Sequence, residues 1–288
     1  MRSFFISIIL LRCVSYITAQ EYFFLPTKDD FLIYSISKQS VIKSMNYHKS
    51  PMQGLLWRPT ADMDFIFAKN IPDSTQLMRM RVADKKVERF HHKEKFTDFQ
   101  VVNRNFIVVH SDNNLCLWNL NTSNCTILTE KFHGIYFAYD INRRLLVTQD
   151  SSNILIIHFL QGARQEKFLD KVEENTHFTL FQGKLYYFNT NSSWIVYSID
   201  TEDTQQYTLT GKHYMRSIWP TDQGFLIKEL VTNSATEIPG WKLFLYKKDQ
   251  LFSDEIFSQQ PTPQAGGVSI ESNSMITPLD RVNIPWQK

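Results

Sequence analysis

Two histidines and a glutamate stand together at His91-His92-Lys93-Glu94, residue types able to bind a transition metal or move protons. Their spacing argues against both. Neighbouring residues on a strand point to opposite faces, and no third ligand follows at a recognisable distance, so the pair reads as part of a solvated outer strand and loop. The other histidines, His48, His110, His133, His158, His177 and His213, are scattered, and none accompanies a Gly-x-Ser-x-Gly elbow that would present a serine nucleophile. The chain has nine glycines, none arranged as Gly-x-Gly-x-x-Gly, so a phosphate-cradling loop is not expected either. No catalytic residue is assigned.

Thiol chemistry has better support. Cys116 and Cys125 lie nine residues apart on either side of an expected hairpin, and in an oxidising compartment such a pair is expected to bond. Diagonal cross-strand partners sit near the upper distance limit for a disulfide, so two thiols filling apolar space are the alternative. Three Asn-x-Ser/Thr triplets begin at Asn121, Asn124 and Asn191, each in an expected turn where a glycan would stand in water. The stretch from Lys85 to Lys95 also carries Lys86, Arg89 and Lys93, a patch for a glycosaminoglycan or an acidic partner. Asp84, Glu88 and Glu94 blunt it, and from sequence a solvated outer strand is the better reading. Trp57 precedes Arg-Pro-Thr and Trp219 precedes Pro-Thr, both at expected strand ends, where they either wall a small-ligand site or plug a tapering space.

All of these residues must be held by strands. A six-residue apolar block recurs six times, starting at Phe31, Leu77, Leu115, Ile154, Trp194 and Trp241, at intervals of 38 to 47 residues. A second block precedes each at a steady offset, as in Phe65-Ile66-Phe67-Ala68, and a more polar one follows, as in Gln165 to Leu169. The apolar runs are short and rich in aromatic and β-branched side chains, which suits strands and fails as helix. A fourth block leads the units from the second onward: Leu55-Leu56-Trp57, Phe99 to Val102, Ile135 to Tyr139, Phe178 to Phe181 and Ser217-Ile218-Trp219. The first unit has none at the N-terminus. Gly266 to Ile270 is expected to supply it by pairing with Tyr22 to Leu25, so that one sheet is built from both ends of the chain.

Units of four strands at this repeat length resemble the blades of six-bladed β-propellers, a superfamily that includes WD-repeat-like and TolB-like architectures. A trace of the WD-repeat pattern lies in Leu117-Trp118-Asn119-Leu120, where Trp118 and Asn119 stand in place of Trp-Asp. The resemblance is architectural and covers residues 20–273, leaving 274–288 as a tail over one face. It implies an all-β ring closed by the C-terminal strand joining the N-terminal blade. Similarity to propellers of the gluconolactonase type would further imply calcium in a central tunnel, with oxygen ligands on or beside the inner strands. Asp98, Asn103, Asp140, Asn142, Asn175, Asp222 and Glu271 are the residues of suitable type. Polar residues gather where strands turn in any case, so solvated turns are the preferred reading and no cofactor is assigned. Similarity to the secreted yellow and royal-jelly propellers would imply instead a small ligand carried in the tunnel.

The first nineteen residues place Arg2 ahead of the apolar run Phe4 to Leu11 and end at Thr18-Ala19, which looks like a cleavable secretory signal. Ser7, Arg12 and Ser15 interrupt the segment, so it falls short of a membrane span, and no later segment is apolar enough for one. Loss of Arg2 and Arg12 brings the 31 basic residues level with the 29 acidic ones. A neutral chain has no net field to draw it to nucleic acid or to an anionic membrane. The expectation is a secreted or luminal binding propeller without enzymatic activity, whose faces meet an extracellular or luminal protein. A tunnel carrier and a calcium-dependent hydrolase are the other readings.

Overall fold

The computed structural model describes residues 22–26, 30–35, 38, 40–46, 56–59, 64–81, 86–150, 153–160, 163–169, 172–173, 176–210, 214–221, 224–231, 237–238, 240–247, 253–259, 262–263 and 278–279. Short strands fill almost all of them. The first sheet holds β1 (Tyr22–Pro26), β2 (Asp30–Ser35) and β3 (Ser40–Asn46), and the second β4 (Leu56–Pro59), β5 (Asp64–Ile71), β6 (Ser74–Arg81) and β7 (Val87–His92). The third is β8 (Asp98–Val101), β9 (Phe106–Ser111), β10 (Asn114–Asn119) and β11 (Cys125–Thr129). The fourth is β12 (Tyr136–Asp140), β13 (Leu145–Gln149), β14 (Ile154–Leu160) and β15 (Ala163–Leu169). The fifth is β16 (Thr179–Phe181), β17 (Lys184–Thr190), β18 (Ser193–Ser198) and β19 (Thr204–Thr208). The sixth contains β20 (Met215–Thr221) and β21 (Gly224–Val231) and, after the short β22 (Glu237–Ile238), β23 (Gly240–Lys247) and β24 (Ser253–Gln259). A two-residue strand β25 (Thr262–Pro263) pairs with β22, and β26 (Pro278–Leu279) pairs with β1.

Each four-stranded sheet joins neighbours in space by antiparallel pairing, and the burial pattern explains why each sequence block takes its place. In β13, Leu-Leu-Val-Thr-Gln is buried at every position, because a second strand is covered by a neighbouring sheet on both faces. Leu146 looks back into a cluster with Val108, Leu115 and Phe137 of the third and fourth sheets. Leu145 and Val147, one residue to either side, look forward into a cluster with Phe178, Leu185 and Tyr187 of the fifth. Similar clusters join the second sheet to the third through Ile66, Leu77, Phe99 and Trp118, and the fifth to the sixth through Phe188, Trp194, Ile218 and Phe225. The outer strands β15 and β19 are mostly exposed, which accounts for their polar sequences.

The inner strands stand side by side in chain order. β4 lies against β8, β12 against β16 and β16 against β20. Gln100 of β8 accepts a hydrogen bond from the Tyr139 N–H of β12 at 3.1 Å, and the Thr179 hydroxyl of β16 donates to the Ile218 carbonyl of β20. Just ahead of β16 the backbone also meets β20 in a parallel bridge, His177 to Ser217.

The first sheet takes strands from both ends of the chain, as expected, but through a different segment. Tyr22 pairs with Leu279 and Phe23 with Pro278, within the stretch expected to form a tail. Residues 266–270, expected in that place, lie outside the described residues, as does the signal segment 1–19. Proline is tolerated in β26 because an innermost strand has one free edge, where a missing N–H costs no ladder bond. Among the described residues no helix is long and apolar enough to cross a membrane.

Candidate functional site

The oxygen-bearing candidates for calcium are engaged locally. Asp98 opens β8, where its Oδ1 accepts the Phe99 N–H at 2.7 Å. Asn103 follows the other end of that strand, and its Oδ1 accepts the N–H groups of Asn105 at 2.9 Å and Phe106 at 3.0 Å, closing the turn into β9. Asp140 ends β12; its Oδ1 accepts from the N–H groups of Asn142 at 2.9 Å and Arg143 at 3.1 Å, and its Oδ2 from the Arg143 guanidinium at 3.1 Å. A second nitrogen of Arg143 reaches Asp200 in the β18–β19 turn at 3.3 Å. Thus Asn103, Asp140 and Asn142 mark the turn ends of inner strands, Asp98 marks the opposite end, and the four are not brought together. Asn175, Asp222 and Glu271 lie outside the described residues. Among the described residues no group of three His, Cys, Asp or Glu side chains is placed to hold a metal ion.

The other predicted residues are placed as follows. Trp57 pairs with Phe67 in the second sheet, and Trp219 pairs with Leu226 in the sixth, where it is buried. Asn121 and Asn124 are exposed around the β10–β11 turn, and Asn191 in the β17–β18 turn. Cys116 and Cys125 are both free thiols, Cys116 buried and Cys125 exposed. Cys125 faces Trp118 across the ladder, and a register shift between Leu115 and Cys116 sets Cys116 opposite Ile127, so the cysteines are diagonal neighbours. The interaction between the two thiols holds that of Cys116 below its ordinary range and raises that of Cys125.

His91 and His92 face opposite ways, His91 exposed and His92 buried. The His92 ring packs 4.8 Å from Trp118 and 5.0 Å from Phe96. Its Nδ1 lies 3.2 Å from the Glu94 backbone nitrogen and 3.3 Å from the Glu94 carbonyl oxygen, and its Nε2 is buried with no hydrogen-bond partner. Burial lowers the proton affinity of His92 and, in the third sheet, of His110. An unfolded chain binds these protons near its ordinary pKa of about 6.5, while the folded chain resists them to lower pH. Their contribution to stability is therefore full above about pH 6.5 and is lost as pH falls toward the folded values. Thermal melts should show a lower midpoint at pH 5.5 than at pH 7.5, with His92→Phe narrowing the difference. An unchanged difference in that variant would assign the pH response elsewhere.

One surface was not visible in the sequence. In the fourth sheet Leu155 pairs with Phe168, Ile157 with Glu166 and Phe159 with Arg164, so paired residues share a face. Leu155, Ile157 and Phe159 pack into the cluster containing Leu115 and Leu128 of the third sheet. Arg164, Glu166 and Phe168 consequently lie at the outer mouth of the seam between the two sheets, with Phe168 still 64% exposed. Arg164 shares a cavity of about 530 Å³ with the β11 side of that seam, lined by Ile127, Leu128, Thr129, Glu130 and Lys131. Ile127 is 54% exposed there, and Arg164 is held by Glu166 at 2.6 Å. A cleft flanked by exposed apolar side chains can seat a partner's side chain.

No protein-family profile matches the chain, and no curated protein matches it by sequence. Solved structures do match. A chain from the nidogen/laminin complex superposes with a TM-score of 0.58 at 9% identity, covering 84% of this chain and 95% of that one. Hsv2 of Kluyveromyces lactis superposes with a TM-score of 0.50 at 13% identity over 73% of this chain, which spans 65% of the Hsv2 chain. The β-propeller domain of Cps50 (Swd1) from Myceliophteria thermophila gives a TM-score of 0.47 at 9% identity, covering 72% of each chain. Successive four-stranded meanders packed face to face, inner strands abreast, give the chain a β-propeller fold.

Proposed function

We propose that the chain is a secreted, six-bladed propeller that binds a protein partner through the seam between its third and fourth sheets, without catalysing a reaction. The observation that carries this reading is Phe168, a large apolar side chain left 64% exposed at the mouth of that seam. An outer strand has no structural use for such a residue, whereas a partner that covers it gains about 1.5 to 3 kcal/mol from its burial. Aromatic anchors beside a pocket are the usual centre of a protein interface, and the rigid sheets beneath hold them in register. The occupant is an extended protein segment that lays an apolar side chain into the cavity beside Ile127. A Phe168→Glu, Ile127→Lys double variant should lose at least about tenfold in affinity for a partner captured by the secreted wild-type chain, with its melting midpoint unchanged. Equal capture by the variant would remove the seam from the interface, and no specific capture by the wild type would remove the interaction reading.

The sequence of 1–19, the three exposed asparagines and the neighbouring thiols support passage through the secretory pathway. In that compartment Cys116 and Cys125 would pass two electrons and two protons to a disulfide-bearing oxidant and form one S–S bond. Ring closure rests on β1 and β26, which already tie the two ends of the chain into one sheet. Intact-mass analysis of protein from culture medium should find a chain beginning at Gln20, lighter by two hydrogens and carrying removable glycans at Asn121, Asn124 or Asn191. Retention inside the cell with residues 1–19 uncleaved would overturn secretion; a secreted chain with both thiols alkylatable would overturn the bridge alone.

A further inference from the structure

From Val87 to Thr97 exposure alternates residue by residue. Val87, Arg89, His91, Lys93, Lys95 and Thr97 face solvent, while Glu88, Phe90, His92, Glu94 and Phe96 turn inward to differing depths. The alternation begins with the pleat of β7 and persists through the bend at Lys93 and Glu94 that follows it. It sorts the charges of this stretch by sign. In the sequence the acids are interleaved with the bases and reduce their sum. In the fold each acid is turned onto an inward partner of its own.

Glu88 bonds the guanidinium of Arg79, a residue 8% exposed, and Arg79 also donates to the Arg104 carbonyl at 2.5 Å. The Glu94 carboxylate accepts the Ser111 hydroxyl at 2.6 Å. The outward row is left with Arg89, Lys93 and Lys95, with His91 among them, and among the described residues no carboxylate pairs with any of the four. Alternate residues of an extended chain recur at about 6.6 to 6.8 Å, so the row from Arg89 to Lys95 measures at most about 20 Å.

We infer that this row binds a linear sulfated polysaccharide. A row of outward cations no longer than that fits one thin polyanion lying along it, and ammonium and guanidinium groups make charge-assisted hydrogen bonds to sulfate oxygens. Single-stranded nucleic acid is the poorer match. Its proteins add aromatic faces on which bases stack, and here Phe90 and Phe96 turn away from the row. The site is separate from the seam between the third and fourth sheets, and neither depends on the other.

The test uses the full chain and a heparin-derived dodecasaccharide, with single-stranded DNA of similar length as a second probe. The wild-type chain should bind the saccharide more tightly than the DNA and lose affinity as salt rises. Arg89→Ser, Lys93→Ser and Lys95→Ser together should weaken saccharide binding by at least about tenfold, equivalent to about 1.4 kcal/mol. A control carrying Lys131→Ser, Arg144→Ser and Lys184→Ser changes the net charge equally at exposed sites elsewhere and should bind as the wild type does. No saccharide binding by the wild type, an equal loss in the control, or tighter binding of the DNA would each overturn the inference. Thermal melts of both triple variants identify any loss that comes from misfolding.

Discussion

Trp194→Ala should destabilise the chain by about 3 to 5 kcal/mol, read as a lowered midpoint in chemical denaturation. Trp194 is fully buried in the cluster that joins the fifth sheet to the sixth. Its ring stacks on Tyr207 at 5.5 Å and 10°, and meets Phe225 at 5.5 Å and Tyr246 at 4.9 Å edge-on. These neighbours come from three strands in two sheets, so no single shift can fill the space that alanine would leave. Aromatic pairs of this geometry also contribute about 0.5 to 1.5 kcal/mol beyond their buried area. The indole Nε1–H is buried without a hydrogen-bond partner, a cost that the wild-type protein already carries. Trp194→Phe removes that cost while keeping most of the ring contacts, and it should destabilise by less than about 1.5 kcal/mol. Equal losses in the two variants would mean that ring packing is not what holds this seam.

The strands were readable because each kind of strand has its own chemical setting. A second strand such as β13 is covered on both faces, so it must be apolar at almost every position; an outer strand such as β19 meets water and is polar. Inner-strand positions from Phe99 to Val102 and from Ile135 to Tyr139 agree with β8 and β12 to within one residue or two. The partner of β1 was not readable in the same way, because Pro278–Leu279 has two residues and no alternation to detect. Candidate sites were less visible still. Counting charges from Lys85 to Lys95 gives a mixed patch, and only the pairing of Glu88 with Arg79 and of Glu94 with Ser111 separates the signs. Phe168 reads as one apolar residue in a polar strand until its pairing with Leu155 shows that it looks into a seam. Spacing placed Cys116 and Cys125 together, but the register shift at Leu115 and Cys116, which sets their diagonal contact, leaves no mark in the sequence.

Gln149→Ala should cost about 2 to 6 kcal/mol, the second large effect, and for a reason that hydrophobic patterning does not contain. Gln149 ends β13 fully buried. Its amide nitrogen donates to the Thr176 carbonyl at 2.7 Å and its oxygen accepts the Phe178 N–H at 3.2 Å, fixing the connection that leads into β16. Alanine would leave two buried backbone groups unpaired, each worth about 1 to 3 kcal/mol, beside the core residue Phe178. Asn70, near the end of β5, clamps Phe96 in the same manner, donating to its carbonyl at 2.8 Å and accepting its N–H at 3.2 Å. There the Phe96 N–H has a second acceptor, the Thr75 hydroxyl at 3.0 Å. Asn70→Ala therefore orphans the Phe96 carbonyl and the Thr75 hydroxyl, which donates to Asn70 Oδ1 at 2.6 Å, but Asn70 is itself exposed, so water satisfies part of the loss and the cost should be smaller. Gln149→Glu makes a sharper test. Its carboxylate can accept from Phe178 but would face the Thr176 carbonyl with like charge, so its pKa is raised and the variant is weakest at neutral pH. Protonation restores a donor, and its deficit relative to wild type should shrink as pH falls through the raised value. A deficit that is constant with pH would mean the Thr176 carbonyl finds another donor, and the clamp would then be a matter of shape alone.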